Sequence, residues 1–191
     1  MTICVFASSS SRINTEYVSA ASHLGSLLAK SKMDVVFGGG GIGLMGKLAD
    51  AVLKNGGTIT GVIPSFMKDE GWGHSDVSEI IITQDMGERK KQMFGIANGV
   101  VALPGGIGTL EELTEAITLK QLGFFNGPII ILNTLNFYKN LIKFLEHMVE
   151  GHFLRYEHKG IWEIADTPEE VMTYLAKNRS WIQDPRSIAK I

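Results

Sequence analysis

Arg89 is a charged residue on a helix face that is otherwise apolar. At the helical period it lies in line with Met86, Met93 and Ile96. An unpaired buried charge is strongly destabilising, so the guanidinium needs an anionic partner, and a ligand phosphate or Glu112 would serve. Two structural alternatives stay open: an ion pair within the fold, or an aliphatic stem packed beneath a head that reaches the surface.

Glu112 is a carboxylate that the same reasoning points inward. It lines up with Ala116 and Leu119, whereas the neighbouring Glu111 lines up with Glu115 on a polar face. A carboxylate beside the anomeric carbon of a sugar stabilises an oxocarbenium-like transition state and helps to activate water. An inward Arg and an inward Glu, together with the two phosphate-type loops described below, therefore suit cleavage of a glycosidic bond in an anionic sugar.

Capping boxes offer a structural explanation for the acidic residues. Thr109 followed three residues later by Glu112 predicts a helix start, and Asp85 followed by Glu88 predicts another. The first of these pairs explains Thr109 and Glu112 without any ligand.

A first glycine-rich loop, GGGGIGLMG, occupies residues 38–46. Residues 41–46 match the dinucleotide pattern GxGxxG, but the next strand closes with Val62, Ile63, Pro64 and Ser65, with no acidic residue for a ribose hydroxyl. The loop also resembles a triphosphate-binding loop, except that Leu48 stands where Ser or Thr would ligate magnesium. Free backbone N–H groups at a helix start still predict an anion or sugar site, the alternative being a tight strand-to-helix turn.

A second glycine-rich loop, PGGIGT, occupies residues 104–109 and again lies between an apolar run and a helical pattern. The carboxyl ends of parallel strands meet at one edge of a sheet, which is where ligands of such folds bind. Both loops, Arg89 and Glu112 are therefore expected at one edge.

The elements that must position these residues follow a βαβα rhythm. We predict an α/β fold, a three-layer sandwich in which a parallel sheet lies between helices, as one domain over residues 1–191 with a tail from about residue 179. Strands are predicted at residues 3–7, 34–37, 58–63, 79–83, 99–103 and 128–132, and a short apolar stretch follows at residues 161–165. Helices are predicted at about residues 44–54, 86–97, 110–122 and 137–149, with two more beginning near residues 15 and 167.

The charge and composition exclude several classes of function. A net charge of -2 over 191 residues leaves no basic surface for nucleic acid or membrane. No apolar run approaches the length of a membrane span, and no leader pattern opens the chain, so we expect a cytoplasmic protein.

Cys4, the single cysteine, lies in an apolar run and is interpreted as a buried hydrophobic residue. The histidines show no metal-ligand spacing; His152, Glu157 and His158 are merely near one another.

The motifs as a set resemble one known family. The run ERKK at residues 88–91 followed by PGGIGTLEE at residues 104–112 is similar to the signature of the LONELY GUY family, the cytokinin riboside 5′-monophosphate phosphoribohydrolases. The first glycine loop also matches, and the similarity runs from about residue 2 to residue 154.

This resemblance implies a Rossmann-like fold and a homodimer with its sites near the interface. It implies hydrolysis of a purine riboside 5′-monophosphate, either a cytokinin type or AMP, to free base and ribose 5-phosphate, with no metal and no redox cofactor. It assigns catalysis to Arg89 and Glu112. The substrate-binding residues that it implies are Ser8, Gly39, Gly40, Gly43, Met86, Lys90, Pro104, Gly105, Gly106, Ile107, Gly108 and Thr109. Members of the family were long labelled lysine decarboxylases, but no lysine here has a context that suggests a pyridoxal phosphate Schiff base.

The chain departs from the family at residues 7–12, ASSSSR, where relatives more often carry a glycine just after the strand. This departure bears on how the base is held. Phe66, Met67 and Trp72 are loop hydrophobes that would accept an isoprenoid group, although such residues more often pack or form interfaces. The rival function is that of a carrier, without catalysis, for a nucleotide or the molybdenum cofactor.

Overall fold

The computed structural model describes residues 1–177, and the predicted tail from about residue 179 lies outside them. Strands and helices alternate along this part of the chain. The strands are β1 (Thr2–Phe6), β2 (Asp34–Phe37), β3 (Ile59–Pro64), β4 (Glu79–Thr83), β5 (Gly99–Ala102), β6 (Ile129–Leu132) and β7 (Glu163–Ala165). The helices are α1 (Thr15–Lys30), α2 (Gly43–Lys54), α3 (Ser65–Asp69), α4 (Met86–Ile96), α5 (Ile107–Gln121), α6 (Lys139–Glu150) and α7 (Pro168–Lys177).

All seven strands form one parallel sheet in the order β4-β3-β2-β1-β5-β6-β7. The strand β1 lies in the middle, and the order reverses on its two sides: the chain builds outward through β2, β3 and β4, then returns to pair β5 with β1. Ligands of open α/β sheets bind beyond the strand ends at such a reversal. Here the loops after β1, β2 and β5 meet at that point.

Helices cover both faces of the sheet, which is why its strands are almost uninterrupted apolar runs. In β1, Ile3 and Val5 pack into a core with α1, α2 and α7, while Cys4 and Phe6 pack into the opposite core with α4, α5 and α6. This alternation follows from the two-residue period of a strand. The predicted α/β sandwich is therefore confirmed.

Element boundaries agree with the sequence prediction to within three residues, and two differences lie in segments next to the loops. The helix α5 begins at Ile107 instead of Leu110, and α3 occupies part of a segment predicted as a loop. Among the described residues, no helix has both the length and the apolarity needed to cross a membrane.

Candidate active site

Arg89 and Glu112 form a buried ion pair, with Nη1 of Arg89 3.1 Å from Oε1 of Glu112. The two residues are only 6% and 7% exposed, so the predicted inward orientation is confirmed for both. The Nε atom of Arg89 also donates to the carbonyl of Val62, at 3.0 Å, and Nη1 lies 3.8 Å from Sδ of Met86. The guanidinium thus links the end of β3 to α4 and α5.

The pair leaves one polar atom on each partner without a hydrogen bond. Among the bonds found within residues 1–177, none involves Oε2 of Glu112 or Nη2 of Arg89. These atoms belong to opposite charges on adjacent helices and together offer one hydrogen-bond donor and one acceptor.

The start of each helix explains how these side chains reach one another. The side chain of Asp85 caps α4 by accepting a hydrogen bond from the N–H of Glu88. The predicted helix start at Asp85 is therefore confirmed. The predicted capping box of Thr109 and Glu112 is wrong, because α5 begins at Ile107 and is preceded by Gly106, which has no side chain to cap it. Glu112 therefore lies in the second turn of α5, where one oxygen of its carboxylate binds Arg89.

Burial governs the ionisation of this site. It raises the pKa of Glu112 to about 7, since the loss of hydration outweighs the opposing pull of the Arg89 charge. Glu112 is thus able to hold or release a proton near neutral pH. The pKa of the Cys4 thiol is raised by burial and then by the Glu112 charge, which makes it an unreactive neighbour, as its apolar run predicts.

The first glycine loop is filled by the protein itself. The N–H groups of Leu44 and Met45, at the start of α2, donate to the carbonyl of Ser8 at 2.9 and 3.3 Å. A side chain at Gly43, which has a φ of +69°, would collide with the main chain of residues 8–10. A side chain at Gly46 would meet the carbonyl of Gly41 at 2.3 Å. The N–H groups of Leu44 and Met45 are therefore taken by the chain's own carbonyl group, whereas no hydrogen bond within residues 1–177 uses the N–H of Gly43, so its substrate-binding role stays a prediction.

Gly39 and Gly40 are likewise explained by their neighbours. Gly39 has a φ of +77° and would place a Cβ 3.2 Å from that of Ile63, while a Cβ on Gly40 would lie 2.9 Å from the methyl carbon of Met45. Neither contact assigns the glycine to a ligand or excludes one, so their substrate-binding role stays a prediction.

The second glycine loop is open, in contrast. Gly106, Ile107 and Gly108 are exposed, and added Cβ atoms on the two glycines would meet nothing within 4 Å. The first bond between α5 and this loop joins Leu110 N–H to the carbonyl of Gly106. Within residues 1–177 no hydrogen bond uses the N–H groups of residues 107–109, so they remain available to an anion at a helix N-terminus.

The remaining predicted residues line this open loop or support it. Pro104 accepts a bond from Ser8 N–H at 3.3 Å, which joins the first loop of the chain to the second glycine loop. Gly105 leaves the space that the side chain of Thr109 fills, since a Cβ there would lie 2.1 Å from the hydroxyl oxygen. The Ser8 hydroxyl accepts from Ser10 N–H at 3.0 Å.

Lys90 has partners within the fold. Its ammonium group contacts Glu111 and lies 2.7 Å from Oε2 of Glu115, so it joins α4 to α5. Burial lowers its pKa, but the hydrogen bonds and charges of these carboxylates raise it above the ordinary value overall. The ammonium group therefore fastens together the two helices that carry Arg89 and Glu112.

Sequence reasoning missed three contributors to the site. The Val62 carbonyl receives Arg89, and Gly38 packs so closely that a Cβ would lie 1.8 Å from Nη2 of Arg89. His74 is buried and contacts Asp50 beside the first glycine loop. Gly38 belonged to a recognisable glycine cluster, whereas neither Val62 nor His74 carries a local signal.

The residues that the structure describes contain no group of three or more His, Cys, Asp or Glu side chains arranged to hold a metal ion. His152 adopts a φ of +61°, and His158 is buried with Nδ1 accepting from the N–H of Arg155.

Comparison with known proteins identifies the family. Residues 45–175 match the family model described as possible lysine decarboxylase. A cytokinin riboside 5′-monophosphate phosphoribohydrolase of Arabidopsis thaliana is 38% identical over 173 residues, covering 91% of this chain and 81% of the relative. A protein of the same name from Rhodococcoides fascians is 40% identical over 151 residues, covering 78% of this chain and 76% of its own length.

Solved structures share the fold. The X-ray structure of a structural-genomics target is 26% identical, with a TM-score of 0.73 over 92% of this chain and 98% of the other. The molybdenum cofactor carrier protein of Chlamydomonas reinhardtii, at 20% identity and a TM-score of 0.69, covers 92% of this chain and 96% of its own and shows a common fold only. From the family model and the sequence relatives together, the chain belongs to the LONELY GUY family, that of the cytokinin riboside 5′-monophosphate phosphoribohydrolases.

Proposed function

We propose that this chain is a cytoplasmic hydrolase that cleaves the N-glycosidic bond of a purine riboside 5′-monophosphate, giving free base and ribose 5-phosphate. The observation that carries the proposal is the buried pair of Arg89 and Glu112, each with an unbonded polar atom. The uncapped start of α5, on the same helix as Glu112, supplies the anion site that a 5′-phosphate needs. The names of the sequence relatives agree with this reaction.

Glu112 acts on the sugar in this mechanism. As the base departs, positive charge develops at the anomeric carbon, and the free carboxylate oxygen stabilises it. The same carboxylate accepts a proton from the attacking water, whose oxygen forms the new bond to the anomeric carbon. The electron pair of the broken C–N bond stays with the base, which takes up a proton to leave as the free purine.

Arg89 orients the substrate and transfers no proton, because a guanidinium does not lose its proton in proteins. Its Nη2 group donates to the substrate, and its charge complements the departing base or the phosphate. The N–H groups of residues 107–109 bind the phosphate and so fix the distance from the anomeric carbon to Glu112. Binding energy from the phosphate is then used to position the reacting carbon.

Chromatographic detection of free base tests the proposal. Purified protein is incubated with AMP and, separately, with isopentenyladenosine monophosphate, alongside a Glu112→Gln variant. Glu111→Gln is the matched control, since it makes the same change one residue away on an exposed carboxylate, and Lys90 keeps its contact with Glu115. We expect release by the wild type and by the control, and loss of release with retained nucleotide binding in Glu112→Gln.

Two outcomes would count against the proposal. Undiminished release by Glu112→Gln would remove this carboxylate from the mechanism. Nucleotide binding without release from either substrate would favour a carrier, the function named for one of the solved structures of this fold. The relative rates with the two nucleotides rank a plain base against a substituted one.

A further inference from the structure

Residues 72–74 run antiparallel to the first glycine loop and are bonded to it through the main chain. The N–H of Gly41 donates to the carbonyl of Trp72 at 3.0 Å, and the N–H of His74 donates to the carbonyl of Gly39 at 2.9 Å. Gly40 and Gly73 form the bridge between them. A Cβ on Gly41 would lie only 3.2 Å from the carbonyl oxygen of Gly73, so the two segments are in close contact.

The side chain of His74 extends this attachment to α2. The residue is 8% exposed, and its Nδ1 accepts a bond from the N–H of Asp76 at 3.2 Å. Because a main-chain N–H is always a donor, Nδ1 carries no proton and the proton resides on Nε2. Nε2 then donates to Oδ1 of Asp50, at 3.2 Å, and Oδ2 of the same carboxylate binds Lys47 at 3.0 Å.

His74 therefore connects the two ends of the first glycine loop. Its main chain binds Gly39, near the start of the loop, and its ring binds Asp50, on the helix that follows the loop. The loop begins at Gly38, which packs against the guanidinium of Arg89, since a Cβ there would lie 1.8 Å from Nη2. Movement at Gly38 would thus shift the guanidinium of Arg89 directly, whereas movement at Gly39 or Asp50 would reach it only through the loop.

We propose that His74 is a positioning residue, which through Asp50 and Gly39 holds the first glycine loop in the shape that keeps Gly38 packed against the guanidinium of Arg89. This inference rests on the proposed function for its kinetic consequence. Arg89 keeps its own bonds to Val62 and Glu112, so loss of the His74 contact is expected to weaken substrate binding more than the chemical step.

Three substitutions separate the two contacts of the ring. His74→Asn keeps an oxygen in reach of the Asp76 N–H but no donor toward Asp50. His74→Gln keeps a donor toward Asp50, and His74→Ala removes both. We expect KM to rise about tenfold or more in the Ala and Asn variants, with kcat changed less than about threefold, and the Gln variant to recover most of the affinity.

The partner residue gives a second measure of the same contact. Asp50→Ala should raise KM as His74→Asn does, and the double variant should be no worse than either single change, since both remove one interaction. His23→Ala is the matched control: it removes an imidazole that binds Glu169 at 2.5 Å between α1 and α7. A purely structural role for His74 would lower the thermal midpoint while leaving KM unchanged.

Hydrogen exchange tests the inference without turnover. The N–H of Gly41 is held by Trp72, so exchange across residues 38–43 should accelerate in His74→Ala and stay at the wild-type rate in His23→Ala. If the wild type releases no base, the proposed function fails, while exchange and titration with AMP still decide the role of His74. Unchanged exchange together with unchanged AMP affinity or KM in His74→Ala would overturn the inference.

Discussion

At the scale of single residues, Arg89 and Glu112 are buried because each supplies the charge that the other requires. Removing one partner of such a pair leaves an uncompensated buried charge, which typically costs about 3–5 kcal/mol. Despite this cost, Oε2 of Glu112 and Nη2 of Arg89 take part in no hydrogen bond within residues 1–177. A purely structural pair would gain from satisfying these atoms, so their availability favours a ligand.

Turnover should depend on the ionisation of Glu112. Burial raises its pKa to about 7, and the proposed mechanism needs the carboxylate. The ionised fraction of an acid grows with pH, so kcat/KM should rise as the pH passes upward through about 7 and then level off. Initial rates of base release across the range from about pH 5 to about pH 9 measure this. A rate that falls with pH through that region would show that the protonated acid is the active form.

Gly38 should tolerate no side chain. A Cβ there would lie 1.8 Å from Nη2 of Arg89, so Gly38→Ala must displace the guanidinium from Glu112. We expect a loss of kcat/KM of about 100-fold, the scale on which misplacement of a catalytic group by about 1 Å acts.

The matched control for this change is Gly95→Ala, on the helix that carries Arg89. A Cβ at Gly95, in the last turn of α4, meets nothing within 4 Å, and alanine in a helix is favoured over glycine by at most about 0.5–1 kcal/mol. Urea unfolding should therefore show Gly95→Ala equal to or more stable than the wild type, with normal turnover. Normal turnover in Gly38→Ala would contradict the proposed role of Arg89 in orienting the substrate.

At the scale of elements, the start of α5 is where the fold leaves donors free. Ile107 is the first residue of α5 and is 81% exposed, and Gly106 before it is extended, with a ψ of -158°. Proline is well suited to the first position of a helix, and extended backbone before it avoids a clash. Ile107→Pro should therefore remove one N–H donor from the proposed phosphate site without loss of stability.

We expect Ile107→Pro to raise KM for a nucleoside monophosphate, and Ile107→Ala, which keeps the N–H, to leave KM close to the wild-type value. Loss of one hydrogen bond to a charged group corresponds to about 1.5–3 kcal/mol, or roughly a 10- to 150-fold change in KM. Steady-state kinetics of base release, with thermal unfolding as a check on the fold, measures both variants. Equal KM values for the two would place the phosphate elsewhere.

The sequence predicted the strands, the order of elements and the inward orientation of Arg89 and Glu112, because each depends on a local period of apolar residues. It misplaced the start of α5 because Thr109 and Glu112 satisfy the spacing of a capping box, while the helix begins three residues earlier. The spacing alone cannot distinguish a cap from two residues within the first turns.

The first glycine loop shows a second limit of sequence reasoning. The glycines were interpreted as space for a ligand, but Gly41 and Gly46 make room for main chain and Gly43 for the loop after β1. The contacts of Gly41 with Gly73 and of Gly43 with residues 8–10 join residues far apart in the chain, and so do the bonds from Arg89 to Val62 and from His74 to Asp50. No local pattern encodes them, because they depend on the order of strands in the finished sheet.

At the scale of the whole molecule, the sheet order explains why these residues meet. With β1 between β2 and β5, the loops after those three strands share one edge, and the bond from Ser8 N–H to Pro104 and those from Leu44 and Met45 to Ser8 tie them together. Glu112 and Arg89 then approach from α5 and α4, which both pack on the same face of the sheet. The site is therefore assembled from segments spread over more than half of the chain.

The homodimer implied by the family resemblance remains a prediction, and α6 provides a test of where two copies meet. The apolar face of α6 contributes Leu145 and Val149 to the core, whereas Phe144 on the same helix is 54% exposed. We propose that Phe144 is buried against a second copy of the chain. Light scattering should give twice the mass of the 191-residue chain for the wild type.

Phe144→Asp should shift this mass toward that of one chain at low protein concentration, because the dimer would bury an unpaired carboxylate. Lys143→Asp, a change at the exposed neighbouring position, is the control and should leave the dimer intact if only the Phe144 face is covered. A dimeric Phe144→Asp variant would place the interface on another surface. A monomeric wild type would instead show that this chain departs from the assembly that the resemblance implies, and that its active site is complete within one copy.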